Sequence, residues 1–151
     1  LHYYHLEAEF ETCDSMVSNF INSCLEKFAD VLKAEISKSN LSPNEVEVVM
    51  CILSNFTPKC LVRVEVSCPI EQMVEGTDMS PQAFAERFDT AVRIAETQPY
   101  RAVTHNKGVM NGIDSVILAT GNDFRAIEAG AHAYASKDGQ YTSLTHADMS
   151  D

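Results

Sequence analysis

The stretch Arg101-Ala102-Val103-Thr104-His105-Asn106-Lys107-Gly108-Val109-Met110-Asn111-Gly112-Ile113-Asp114-Ser115-Val116-Ile117-Leu118-Ala119-Thr120-Gly121-Asn122-Asp123-Phe124-Arg125-Ala126-Ile127-Glu128 marks a change in the chain from mixed to helical structure. Pro99, just ahead of it, sets the boundary. Met110 to Thr120 reads as one helix, and Gly121 suits the left-handed position that follows a helix. Asn122 or Asp123 then caps a second helix reaching about Lys137. Asp138-Gly139 is a turn, and the residues beyond Leu144 carry no pattern that predicts structure. Four polar groups able to act on a carbonyl, Arg101, Lys107, Asn111 and Asp123, stand among glycines 108, 112 and 121.

Upstream the periodicities are mixed. Tyr4, Leu6, Ala8 and Phe10 alternate with His5, Glu7 and Glu9, the period of a strand with one buried face. From Met16 to Ile36 apolar residues recur at helical spacing; Thr12 or Asp14 is placed to cap that helix, and the cluster at 39 to 43 ends it. Glu47 to Leu53 and Leu61 to Cys68 read as two strands joined across Thr57-Pro58-Lys59. Ser80-Pro81 opens a helix striped by Phe84, Phe88, Val92 and Ala95 up to about Glu96. The order β-α-β-β-α predicts an α+β fold: a ferredoxin-like small domain with an antiparallel sheet over residues 1–97, followed by a helical segment over 98–151.

The 151 residues carry a formal net charge of −11, which disfavours nucleic acid and anionic membrane surfaces as partners. A ferredoxin-like RNA binder is further disfavoured because Leu61 to Cys68 lacks aromatics. Five cysteines, Cys13, Cys24, Cys51, Cys60 and Cys68, lack the close pairs of a zinc site and read as reduced core residues of a cytoplasmic protein. No apolar run is long enough to span a membrane, no signal peptide opens the chain, and no G-x-G-x-x-G loop supports a Rossmann reading. His2, His5 and His146 show no metal-binding spacing; His105 reads as structural support and His132 as a packed histidine.

The run Pro99 to Asp114, followed by Ala119-Thr120-Gly121-Asn122-Asp123, resembles the bacterial-type (class II) 3-hydroxy-3-methylglutaryl-CoA reductases. The similarity extends to Asp14-Ser15-Met16, Ile52-Leu53-Ser54-Asn55 and Gly130-Ala131-His132-Ala133-Tyr134. It implies an NAD- or NADP-dependent oxidoreductase that converts hydroxymethylglutaryl-CoA to mevalonate and CoA, or the reverse. It also implies a homodimer with the site at the subunit interface, and a small cofactor-binding domain that agrees with the ferredoxin-like reading. By the same resemblance Lys107 is the catalytic lysine, Asp123 its acidic partner, Asn111 a neutral member of their network and Arg101 the receiver of the substrate's free carboxylate. Asp14, Met16 and Asn19 match the family's Asp-Ala-Met-Gly-x-Asn cofactor element, with Val17 in place of its glycine, and Asn55 matches an asparagine near the nicotinamide. The family's catalytic glutamate and its ribose-reading acidic residue are expected before Leu1, and its mobile histidine beyond Asp151. The chain is therefore read as a piece of the enzyme, turning over little or no substrate alone. A non-catalytic binding or dimerisation module that keeps the reductase fold is the alternative, motivated by Val17.

Lys107 and Asp123 are sixteen residues apart, so a continuous helix would separate them by about 24 Å and about 160° of rotation. Either the glycines fold the segment back, or the lysine of one subunit meets the aspartate of its twin. The family's interfacial site favours the second.

Overall fold

The computed structural model describes residues 2–13, 15, 17–39 and 46–149. The chain divides into two compact units, residues 1–54 and 55–151.

The first unit is built on one helix, α1 (Ser18–Lys38). It ends where expected, with the Ser39 amide closing on the Ile36 carbonyl. Its apolar face is wider than what it buries: Ile21 and Ala29 are covered, while Phe20, Phe28 and Val31 are more than half exposed. Asn22 holds the returning segment, its Oδ1 accepting from the Leu53 amide at 2.9 Å.

The second unit carries a short 3-10 helix, Ile70–Val74, and the helices α2 (Pro81–Thr97), α3 (Pro99–Ala119) and α4 (Phe124–Ala135). Ser80 caps α2 as its sequence predicts, with Oγ accepting from the Ala83 amide and Pro81 in the first turn, where no backbone donor is needed. A single residue, Gln98, separates α2 from α3, and Pro99 starts the next helix by the same logic. α3 thus begins eleven residues before the expected Met110 and runs unbroken through Gly108 and Gly112. Neither glycine is near other groups, so each weakens the helix only by its own propensity, about 1 kcal/mol relative to alanine. At the far end Gly121 takes φ +71°, its amide bonding the Leu118 carbonyl and the Asn122 amide reaching back to Ile117. This double bond pattern satisfies the last carbonyls of α3 and turns the chain. α2 packs on the 3-10 helix and on α3, and α3 on α4.

The expected ferredoxin-like antiparallel sheet is absent: the described residues contain no strand and the elements are all helical. The Thr57–Cys60 turn does form, with the Cys60 amide on the Thr57 carbonyl, but its two flanks do not pair. Val62, Val64 and Val66, which alternate with Arg63 and Glu65 along the second of the two expected strands, are 92, 82 and 87 % exposed, and Tyr4, expected on a buried face, is 89 % exposed. The physical reason is that a helix satisfies its own amides, whereas an alternating segment becomes a strand only where a neighbour supplies both ladder bonds and a surface to cover. Nor are the cysteines core residues: all five are free, Cys13, Cys60 and Cys68 exposed and Cys24 and Cys51 half-buried.

Gly130 of α4 marks a close approach within the second unit, because a Cβ there would stand 2.9 Å from the Asn55 carbonyl oxygen. Gly130→Ala is expected to displace the Asn55 backbone and to lower stability by about 1–3 kcal/mol. Urea unfolding checks this, and an unchanged midpoint would contradict the contact.

Candidate active site

α3 presents the predicted residues in two directions. Ala102, Asn106 and Met110, at helical spacing, form its buried stripe. Lys107 and Asn111 follow that stripe by one residue each, about 100° round the helix, and both are exposed. Among the described residues the Lys107 ammonium makes no hydrogen bond or ion pair.

Asp123 is the N-cap of α4: its Oδ1 accepts from the amides of Arg125 and Ala126, both at 3.1 Å. The capping expected of Asn122 or Asp123 thus falls to Asp123, while Asn122 turns its amide to the Thr120 hydroxyl. Lys107 and Asp123 are not brought together within one chain. The glycines inside α3 do not bend it back, and the reversal comes only after Ala119.

Arg101 and His105, one turn apart on α3, open into a cavity of about 370 Å3 shared with Phe88 and Val92 of α2, Val109 and His146. The His105 ring nitrogen Nε2 lies 2.6 Å from the Thr145 hydroxyl. Burial, and then the Arg101 guanidinium, hold its pKa below the ordinary 6.5. His146 pairs with Glu96 at 2.7 Å. On the opposite flank Glu128 of α4 faces Asp114 of α3, and their shared hydrogen bond, with the repulsion between them, raises the Glu128 pKa.

Of the residues expected to meet the cofactor, Asp14 and Met16 lie outside the described residues. Asn19 is exposed in the first turn of α1. The residue before that helix is Val17, at φ 38° and ψ 39°, in the left-handed region where a β-branched side chain is strained. No side chain among the described residues caps α1, so Thr12 does not take that role. Asn55 is exposed, with its carbonyl against Gly130.

A family profile described as hydroxymethylglutaryl-coenzyme A reductase matches residues 2–150. The chain belongs to that family. A probable 3-hydroxy-3-methylglutaryl-coenzyme A reductase of Borreliella burgdorferi is 35 % identical over 135 residues, covering 89 % of this chain and 29 % of the relative. The Archaeoglobus fulgidus reductase is 36 % identical over 132 residues, 87 % of this chain and 27 % of its own. Among solved structures, a Streptococcus pneumoniae reductase superposes with a TM-score of 0.70 at 35 % identity, over 93 % of this chain and 31 % of that one. A class II S. pneumoniae reductase bound to NADPH in open conformations gives 0.67 at 37 % identity, over 89 % and 34 %. The chain therefore spans about three tenths of the length of the reductases it matches.

What sequence reasoning missed in this reductase chain is the packed segment after α4. Tyr141, Thr142 and Ser143 have no periodicity, yet Ser143 is 3 % exposed and Thr142 bonds both Ala135 and Glu96. The available signal was Asn106: an amide on the same helical face as Ala102 and Met110 must be buried, and a buried amide needs partners.

Two outcomes follow from these environments. Since His105 is harder to protonate folded than unfolded, its contribution to stability is held above about pH 6.5 and lost as pH falls through the lower folded value. His105→Gln is expected to flatten the fall in Tm between about pH 7 and about pH 5, and an equally steep fall would refute this. Val17→Gly, relieving the left-handed strain, is expected to stabilise by about 1 kcal/mol, read as a raised urea midpoint; a lowered one would count against the strain.

Proposed function

We propose that the protein carrying this chain is a class II hydroxymethylglutaryl-CoA reductase, reducing the thioester to mevalonate and CoA by four electrons, or running the reverse. The observation that carries this reading is an ammonium on α3, Lys107, without a partner among the described residues, with Asn111 one turn on and on the same face, inside the matching motif. Carbonyl reduction needs a cation or donor where negative charge collects on oxygen, and an amine without an internal partner is free to fill that role. Asn111 supports it by hydrogen bonding. Arg101, which makes no ion pair among the described residues, is suited to a free carboxylate through two parallel hydrogen bonds.

The nicotinamide cofactor, NAD or NADP, supplies hydride when bound. The residues present fit its phosphate end: the first amides of α1 meet no side-chain acceptor among the described residues, and the first turn holds no acidic residue. Asp14, Met16 and Asn19 belong to that element in this reading, and Asn55 to the nicotinamide end. With Asp123 acting as a cap and Lys107 without a partner among the described residues, the two are proposed to meet across a homodimer, Lys107 of one subunit beside Asp123 of the partner subunit. The domain boundary at 97/98, dividing cofactor from substrate and catalytic parts, belongs to the same proposal. No helix among the described residues is long and apolar enough to cross a membrane, and a cytoplasmic site is proposed.

Val17 favours a second reading, a non-catalytic module: its side chain is 38 % exposed at the helix end where the family's glycine lets backbone approach a phosphate. Titration of the full-length protein with NADH and NADPH separates the two, saturable binding supporting the enzyme and none at millimolar cofactor the module. In the full-length enzyme Lys107→Met is expected to lower kcat for mevalonate formation by at least about a hundredfold. Turnover left intact would end the reductase reading of Lys107.

A further inference from the structure

Asn106 is fully buried in a stripe that otherwise consists of Ala102 and Met110. Its Nδ2 donates to the Tyr141 hydroxyl at 3.1 Å and to the Thr142 carbonyl at 2.9 Å, and its Oδ1 accepts from the Leu144 amide at 2.9 Å. The amide cannot be turned over, because a carbonyl only accepts and a backbone N–H only donates. Tyr141 carries the network on: its hydroxyl lies 2.8 Å from His132 Nδ1 on α4, and the two rings stack at 6.0 Å between centroids. Thr142 ties the same point to the last turn of α2 through Glu96 and to that of α4 through Ala135.

Apolar burial alone specifies the roll of α3 poorly. Alanine offers little shape, methionine adapts to what surrounds it, and dispersion contacts have no direction. The three hydrogen bonds of Asn106 are directional and fail if the helix turns about its axis. Lys107 is the next residue, so whatever fixes the roll at Asn106 fixes where the ammonium points. We infer that Asn106, held by Tyr141 and the backbone of residues 142–144, is the positioning residue that aims Lys107 for the reaction. The inference rests on the reductase reading of Lys107. Asn106 touches neither substrate nor cofactor in this role; it acts through its neighbour.

The test uses full-length reductase carrying this segment. Asn106→Asp keeps the shape but replaces the donor to the Thr142 carbonyl by an acceptor, and Tyr141→Phe keeps the ring and removes the bridging hydroxyl. Each is expected to lower kcat by roughly 10- to 100-fold, as misplacement of a reacting group by about 1 Å does, with KM for the acyl-CoA within about twofold. In a Lys107→Met background the same substitutions are expected to add no further loss in kcat. Wild-type kcat in the folded variants overturns the inference, as does an additional loss on top of Lys107→Met. Should Asn106→Asp not fold, Tyr141→Phe decides by the same two criteria. If Lys107→Met alone leaves turnover intact, the reductase reading of that residue fails, and the inference fails with it for a separate and identifiable reason.

Discussion

A single buried amide constrains the second unit. Asn106 sits at 0 % exposure, where leaving either end of its side chain unpaired would cost about 1–3 kcal/mol. That cost is avoided only if residues 141–144 lie across α3 with a donor and two acceptors correctly spaced, and they do. Once those residues are placed, Thr142 reaches the ends of α2 and α4, and Tyr141 reaches His132. A segment without any regular element is thereby fixed to three helices, to α3 through Asn106 and to α2 and α4 through Thr142 and Tyr141. The partners are mutually restrictive, since each hydrogen bond holds in place the group that makes the next.

Apart from Val92 and Met110, the apolar core around this point is made of small residues. Ala85, Ala95 and Ala102 are at 0 % exposure, and Ala126 and Ala135 are nearly covered. Small side chains let helix backbones approach closely but bury little apolar area each, roughly 25 cal/mol per Å2 at best. Larger groups lie outward: Phe88 is 48 % exposed and Tyr100 93 %. Cohesion among α2, α3 and α4 therefore depends more on hydrogen bonds at helix ends than on interlocking large side chains. The Asp114 and Glu128 pair works the other way between α3 and α4. The closure is strongest while one carboxyl keeps its proton, fully so below the ordinary glutamate value of 4.5, and is lost as pH rises through the higher folded value.

Legibility in the sequence divided along the range of the interactions. Ser80-Pro81 predicted the start of α2, Gly121 the end of α3 and Asn122 or Asp123 the cap of α4, because each signal acts within four residues of itself. The helix expected over Met110 to Thr120 starts at Pro99 instead, because a helix with an anchored face runs through Gly108 as readily as through Gly112. The alternation at Val62, Val64 and Val66 was read as a strand on periodicity alone, yet periodicity names only the face that would be covered and not the neighbour that covers it. The residues of the proposed chemistry, Lys107, Asn111 and Arg101, were picked out by the motif. Their support was not, because Tyr141 and His132 gain meaning only when α4 lies beside α3.

The two helix starts that bear on function are finished in opposite ways, and electrostatics gives the difference its sense. At α4 the free amides of the first turn are met by the Asp123 carboxylate, which spends Oδ1 on two of them. Oδ2 accepts nothing from the described residues, so one carboxylate oxygen stays open to a cation while the cap fixes its direction. A carboxylate held in this way suits a lysine arriving from elsewhere, and it repels a phosphate. At α1 the residue before the helix is Val17, whose side chain has no acceptor to give, and the first amides meet no side-chain acceptor among the described residues. The valine also occupies a backbone conformation that favours glycine. In the proposed cofactor element the two features oppose each other: the partial positive charge of a helix start favours a phosphate, and the valine's bulk limits how near one comes.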